Sequence, residues 1–244
     1  MLSFKNHRND LSCCEDISDH KPIAGTQYGS NPGGIHVSPS GEKHYVKFYS
    51  NHEQAKAEVA TAKVYEHLGV STLQPKLVNY RGHMGVASKW RDDLKPIHPK
   101  EYENPSEHMK GELAKQHVAG VLTKNWDVVG NEFDNLHKAP DGKIVNVDLG
   151  GALHFRAMGG HKEYSPDISE RHSYHDPKVN QFSAHAFKSL TNDHLHTAFH
   201  GMGDRSDAHV TGIFAASGLK NPQHYADTFA KRRGLLKHDL SGAG

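Results

Sequence analysis

Asn125-Trp126-Asp127-Val128-Val129-Gly130-Asn131-Glu132-Phe133-Asp134-Asn135-Leu136 leads, through an Asp141-Gly142 dipeptide, into Lys143-Ile144-Val145-Asn146-Val147-Asp148-Leu149-Gly150-Gly151. Asp-Gly between two short apolar runs is a strong local signal for a tight hairpin. A two-residue loop at Asp141-Gly142 sets Pro140 opposite Lys143, and in that register Asn135 falls directly opposite Asp148. Directly opposed residues hold their Cβ atoms about 4.5–5.5 Å apart on one face. The expected pairing thus joins an amide oxygen to a carboxylate, hard donors suited to Mg²⁺ beside phosphate oxygens. Asp127, just beyond a helix, is placed to meet the same cluster, whereas strand alternation turns Asp134 to the other face.

Upstream, Tyr28-Gly29-Ser30-Asn31-Pro32-Gly33-Gly34 reads as a Gly-rich loop. It precedes Ile35-His36-Val37 and, after a Ser-Pro-Ser-Gly turn, His44-Tyr45-Val46-Lys47-Phe48, which puts Lys47 in a strand. Glu53 to Leu68 carries Ala57, Ala60, Val64 and Leu68 at helical spacing, with Gly69 as the stop. Glu58 lies inside that helix. Leu77 to Tyr80 and Met84 to Trp90 read as a second hairpin, so residues 25–95 are expected to form a lobe of about four strands and one helix. Residues 1–24 show no period and read as a disordered leader.

Pro96, Pro99 and Pro105 mark a linker to a mainly helical lobe over residues 96–244, with the hairpin region 125–151 inserted in it. Ser106 is a candidate N-cap for a helix to about Lys124. Asp176-Pro177, Thr191-Asn192 and Asn221-Pro222 offer further helix starts. Val179, Phe182, Phe187 and Leu190 form one candidate core stripe among several.

A Gly-rich loop, a strand Lys, a helix Glu, a linker, a helix, an Asp, an Asn and a closing Asp-x-Gly follow the order that phosphoryl transfer from ATP requires. Backbone amides cradle phosphates, Lys neutralises them, Glu holds Lys, one Asp orients the acceptor hydroxyl, and Asn with Asp holds the metal.

At these residues the chain resembles the atypical kinase-fold proteins of bacteria. In arrangement it is most similar to the HipA-like kinases and related phage and effector kinase-like proteins. The resemblance covers about residues 25–240. Gly29 to Gly34 resembles their phosphate loop, Asn125-Trp126-Asp127 through Asn135 their catalytic loop, and Val147-Asp148-Leu149-Gly150-Gly151 stands where kinases carry Asp-Phe-Gly. The span from Asp127 to Asn135 is longer than in common protein kinases, and no His-Arg precedes the Asp. The resemblance implies an α+β, two-lobed protein-kinase-like fold with ATP and Mg²⁺ in the cleft. It further implies that Lys47 contacts the α/β-phosphates with Glu58 as ion-pair partner and Glu53 as fallback, and that Asp127 is the base. Asn135 and Asp148 would hold the metal, Ser88-Lys89-Trp90-Arg91 would form the adenine-binding hinge, and Arg156 would orient the metal loop.

Composition narrows the function classes. The 29 Lys and Arg against 28 Asp and Glu give a net charge of +1, no field for nonspecific nucleic-acid binding. No run approaches the ~18 apolar residues of a membrane helix, and no Sec-type leader is evident. Cys13 and Cys14 are adjacent and cannot join distant segments, which fits a reducing, cytoplasmic setting. The 22 histidines lack metal-motif spacing and read as scattered, solvated side chains. The expected function is an ATP- and Mg²⁺-dependent Ser/Thr protein kinase acting on a protein substrate as a bacterial effector or toxin, with non-Sec export to a host compatible. The alternatives are AMP transfer, a small-molecule acceptor, or a nucleotide-binding pseudokinase.

Overall fold

Along residues 43–47 and 83–89 apolar side chains alternate between two faces, and the paired strands bury both of them. The computed structural model describes residues 11–28, 31–203 and 207–242. Its strands are β1 (Glu15–Asp16), β2 (Lys21–Pro22), β3 (Gly33–Val37), β4 (Lys43–Lys47), β5 (Ser71–Thr72), β6 (Lys76–Tyr80), β7 (His83–Lys89), β8 (Lys95–Pro96), β9 (Leu136–Lys138) and β10 (Ile144–Asn146). Its helices are α1 (His52–His67), α2 (Glu107–Thr123), α3 (Glu170–Ser173), α4 (Gln181–Phe187), α5 (Asn192–Gly201), α6 (Asp207–Ala216) and α7 (Pro222–Ser241), with a 3-10 turn over Pro99–Tyr102.

A six-stranded sheet in the order β1-β6-β7-β4-β3-β2 replaces the expected four strands. The two additions come from residues assigned to a disordered leader. Glu15 and Asp16 pair in parallel with Val78 and Asn79, and Lys21 and Pro22 pair with Val37 and His36. The anchor is Ile17, 2% exposed, which packs with Val46, Val78 and Ala87 on one face of the sheet. A single buried Ile between polar neighbours leaves almost no periodic trace, so the segment looks unstructured when read alone.

The opposite face carries Val86 and Met84, and α1 packs on it through Ala55 and Val59. Asn51 caps α1 by accepting the Glu53 amide at 3.0 Å. The other side of α1, with Ala57, Ala60 and Val64, enters the main core together with α2 and the later helices. Wedged between two layers, α1 is buried nearly all round, and Glu58 goes with it.

The Asp141-Gly142 hairpin exists, but its register differs from the expected one. Ile144 pairs with Lys138, Val145 with His137 and Asn146 with Leu136, which sets Asn135 beside Val147 rather than Asp148. The loop has three residues. Gly142 N–H donates to the Ala139 carbonyl at 2.9 Å, and Gly142 sits at φ +82°. That is a type I turn closed by a left-handed glycine, with Pro140 at the position whose φ proline already fixes. The hairpin belongs to a four-stranded sheet ordered β5-β10-β9-β8.

In the helical part, Thr191 caps α5 and α7 begins with Pro222 after Asn221. Asp176-Pro177 starts no helix. The chain makes turns there, and Asn180 instead caps α4 through Phe182 and Ser183. Val179, expected in the core, is accordingly 65% exposed. Among the described residues no helix is long and apolar enough to cross a membrane.

Candidate active site

β4 ends in Lys47, whose side chain lies on the α1 side of the sheet and is buried. Its Nζ is 2.6 Å from Glu58 Oε1 and 3.1 Å from Asp148 Oδ1. Tyr49 O–H donates to the second Glu58 oxygen at 2.6 Å. Burial works against the Lys47 charge, yet the Asp148 and Glu58 carboxylates outweigh it and hold its pKa well above the ordinary value. Burial raises the Glu58 pKa, with Lys47 opposing. Glu53, the fallback partner, turns away to Lys56 and to the Lys220 amide.

Asp148 follows β10. Its amide donates to Asn146 Oδ1 at 3.1 Å, and its Oδ1 accepts the Gly150 amide at 2.9 Å. Its side chain is 40% exposed. The two glycines behind it are required by close approach: a Cβ on Gly150 would stand 2.6 Å from Tyr49 Oη, and one on Gly151 would stand 3.0 Å from Asp127 Cβ. α1 also reaches this turn, where Gln54 Nε2 donates to the Gly150 carbonyl at 3.0 Å.

α2 ends at Lys124, whose left-handed backbone (φ 51°) turns the chain toward Asp127. Asn125 Oδ1 accepts the Asp127 amide at 3.0 Å, and Asn135 Nδ2 donates to the Asp127 carbonyl at 2.7 Å. Burial, then the Asp148 charge, push the Asp127 carboxyl up to about 6, against hydrogen bonding from Asn135. Asn135 is therefore beside Asp127 despite the shifted register, held by its own amide bond to Val129 and by Val147 N–H. Asp134 is exposed.

The loop and hinge are placed less simply. Gly29 and Ser30 lie outside the described residues. Asn31 and Pro32 precede β3, while Gly33 and Gly34 form its first two residues, paired with Lys47 and Val46, and so are strand rather than loop. β2 and β3 are antiparallel neighbours, and the carbonyl of Pro32, just before β3, accepts the Phe48 amide at 2.8 Å beside Lys47. Ser88 and Lys89 end β7, two residues past its last pairing with β6 at Ala87. Trp90 N–H is engaged by the Lys43 carbonyl at 2.9 Å, and its ring stacks on Tyr28 at 5.8 Å.

Several residues went unnoticed in the sequence. Tyr49 stands two positions after Lys47, and Gln54 one turn before Glu58; strand alternation and i, i+4 helix spacing are the signals that point both at the site. Lys162, Glu170 and Arg232 left no such trace. Lys162 Nζ donates to the Gly151 carbonyl at 2.5 Å and to that of Phe155, and burial lowers its pKa to about 7. Arg232, fully buried, donates to the Val121 carbonyl and pairs with buried Glu170. Among the described residues no three His, Cys, Asp or Glu side chains form a metal cluster.

The chain is similar in structure to the crystal structure of the Helicobacter pylori proinflammatory kinase CtkA, with a TM-score of 0.64 and 12% identity over 95% of this chain and 99% of that one. No family model matches the sequence, and no curated protein matches it. At this identity the likeness concerns the fold: an α+β, two-lobed kinase-like architecture, with Lys47 contributed by the sheet and Asp127, Asn135 and Asp148 by the segments after α2 and β10.

Proposed function

We propose that this protein is an ATP- and Mg²⁺-dependent phosphotransferase that modifies Ser or Thr of a protein substrate. One observation carries the reading: a buried Lys47 bound to both Glu58 and Asp148, beside an Asp127 carboxyl raised to about 6. A buried ion cluster contributes little net stability, because desolvation offsets much of its attraction. Its position at the meeting of the sheet and the metal-loop segment is what phosphate binding needs.

In this reading the connection between β2 and β3, from Ile23 to Pro32 and including Gly29, Ser30 and Asn31, covers the phosphates. Gly33 and Gly34 lead it into β3, Lys47 holds the α/β-phosphates, and Glu58 fixes Lys47. The free edge of β7 at Ser88 and Lys89 meets adenine. Asn135 and Asp148 offer an amide oxygen and a carboxylate, a donor set that fits Mg²⁺, and Asn135 Nδ2 is already committed to Asp127, which leaves its oxygen for the cation. Bound there, Mg²⁺ would neutralise charge developing on the transferred group. Asp127 accepts the proton as the acceptor oxygen bonds to the γ-phosphorus; the bond from that phosphorus to the β–γ bridging oxygen breaks, and ADP leaves with the electron pair. A HipA-like affiliation, action as an exported effector and a cytoplasmic site of synthesis belong to this proposal.

Incubation with γ-labelled or α-labelled ATP and Mg²⁺ tests it. Label on protein from the γ position only, lost in Asp127→Ala, is expected. Label from the α position alone would replace phosphoryl by AMP transfer, and label from neither would overturn the enzymatic reading.

A further inference from the structure

Trp126 immediately precedes Asp127 and is 42% exposed, unusual for so large an apolar ring. It is fixed by its edge: the indole N–H donates to Glu170 Oε1 at 2.7 Å, and Glu170 is 1% exposed and paired with Arg232. The ring is thus held by its edge on the helical part, and its face is available to cations. Over it lies Arg156, its guanidinium carbon 5.3 Å from the ring centroid. Arg156 is exposed and, among the described residues, has no carboxylate in ion-pair contact.

The segment carrying Arg156 is pinned next to Asp127. Arg156 N–H donates to the Gly160 carbonyl at 2.7 Å, and Gly159 N–H returns to the Arg156 carbonyl at 2.9 Å. A Cβ built on Gly151 would be 3.0 Å from Asp127 Cβ and 3.4 Å from the Ala157 amide nitrogen, so the 156–157 backbone and Asp127 flank the same glycine. Lys47 serves the opposite, sheet side of the cluster. A cation held on an aromatic face has lost part of its rotamer freedom in advance and keeps its planar donor fork for a carboxylate.

We propose that Trp126 and Arg156 form the acceptor-side subsite, which takes a Glu or Asp side chain flanking the hydroxyl, so that the substrates are Ser or Thr residues in acidic protein segments. The inference rests on the phosphotransferase reading. Arg156 contributes the charge and Trp126 its orientation, while Lys162, 5.2 Å from the same ring centroid, is committed to the Gly151 and Phe155 carbonyls and leaves the carboxylate to Arg156.

The test uses the full chain and Ser-acceptor peptides that differ only in Glu, Ala or Lys flanking residues. Expected is a kcat/KM at least about tenfold higher for the Glu peptide than for the Lys peptide, the scale of one charge-assisted hydrogen bond. Arg156→Ala should remove most of that preference, and Arg156→Glu should invert it. The gain on the Lys peptide excludes misfolding as the cause. Equal rates on all peptides, an acidic preference that survives Arg156→Glu, or transfer to the protein itself but to no peptide overturns the subsite alone. No γ-phosphate transfer to any peptide or to the protein overturns the phosphotransferase reading and the subsite with it.

Discussion

Lys47 and Asp148 are 101 positions apart, and their side chains meet at 3.1 Å. The contact joins the end of β4 to the turn after β10, so the sheet and the segment after β10 touch through opposite charges. Glu58 closes the cluster from α1 at 2.6 Å. The pair is poised rather than locked, because the Asp148 side chain keeps 40% of its exposure while Lys47 keeps 8%.

Removing the lysine should therefore cost more than activity. Lys47→Met leaves Glu58 buried with only Tyr49 as partner, and breaking one side of a buried ion pair typically costs about 3–5 kcal/mol. Lys47→Met/Glu58→Gln should recover most of that loss in a urea titration and none of the phosphoryl transfer. A double variant no more stable than the single one would show that the pair is not the buried charge problem described here.

Asp127 carries a pH signature of its own. Its carboxyl is raised from an ordinary 3.8 to about 6 by burial and by Asp148. The native state therefore binds more protons than the unfolded chain between those values, and stability from this group falls as pH rises through the window. At about 1.4 kcal/mol per unit the cost above pH 6 is at most about 3 kcal/mol, less after solvent screening of a half-buried group. Asp127→Asn should stabilise the protein near pH 7, abolish transfer, and flatten stability between pH 4 and 6. The wild-type kcat/KM should rise through about pH 6 as the base ionises.

These residues differ in how far sequence could find them. Lys47, Glu58 and the helix capped by Asn51 were legible because strand alternation, helical spacing and a cap are local signals. Asn135 does lie beside Asp127, but not through the expected opposition to Asp148. Pro140-Asp141-Gly142 is a three-residue loop with glycine at φ +82°, and Pro at the second turn position was the signal for it. Reading only Asp-Gly shifted the register by one, which exchanges faces along a strand. Arg232, Glu170 and Lys162 were illegible, since partners 62 positions apart share no period or motif. The edge strands at residues 15–16 and 21–22 failed for shortness: two residues cannot display an alternation.

The proposed metal ligands Asn135 and Asp148 predict a metal-dependent nucleotide response. A ligand that binds only the native state raises its stability by mass action. Thermal stabilisation of the wild type by ATP should be several-fold larger with Mg²⁺ than with chelator. Asp148→Ala should lose that difference, because the remaining amide oxygen is one weak donor. Asp127→Ala should keep it, since in the proposed mechanism Asp127 serves the acceptor and not the metal. A full Mg²⁺ response in Asp148→Ala would remove Asp148 from the metal site.

Lys162 ties the turn after Asp148 to the Trp126 shelf, and its titration gives that role a readout. Burial lowers its pKa to about 7, aggravated by Lys124, Arg156 and Arg232 and opposed by Glu170, whereas an unfolded lysine titrates near about 10.4. Between those values the unfolded chain holds the extra proton, so stability from this group rises as pH increases from 7 toward 9. Urea midpoints at pH 7 and 9 for the wild type and Lys162→Met isolate the contribution, because the other titrating groups are common to both. The wild type should gain more on going to pH 9 than the variant does. Lys162→Met should also slow transfer, having lost the bonds that hold the Gly151 and Phe155 carbonyls. Identical pH slopes in the two proteins would mean that Lys162 stays charged and solvated, and the turn would then need another support.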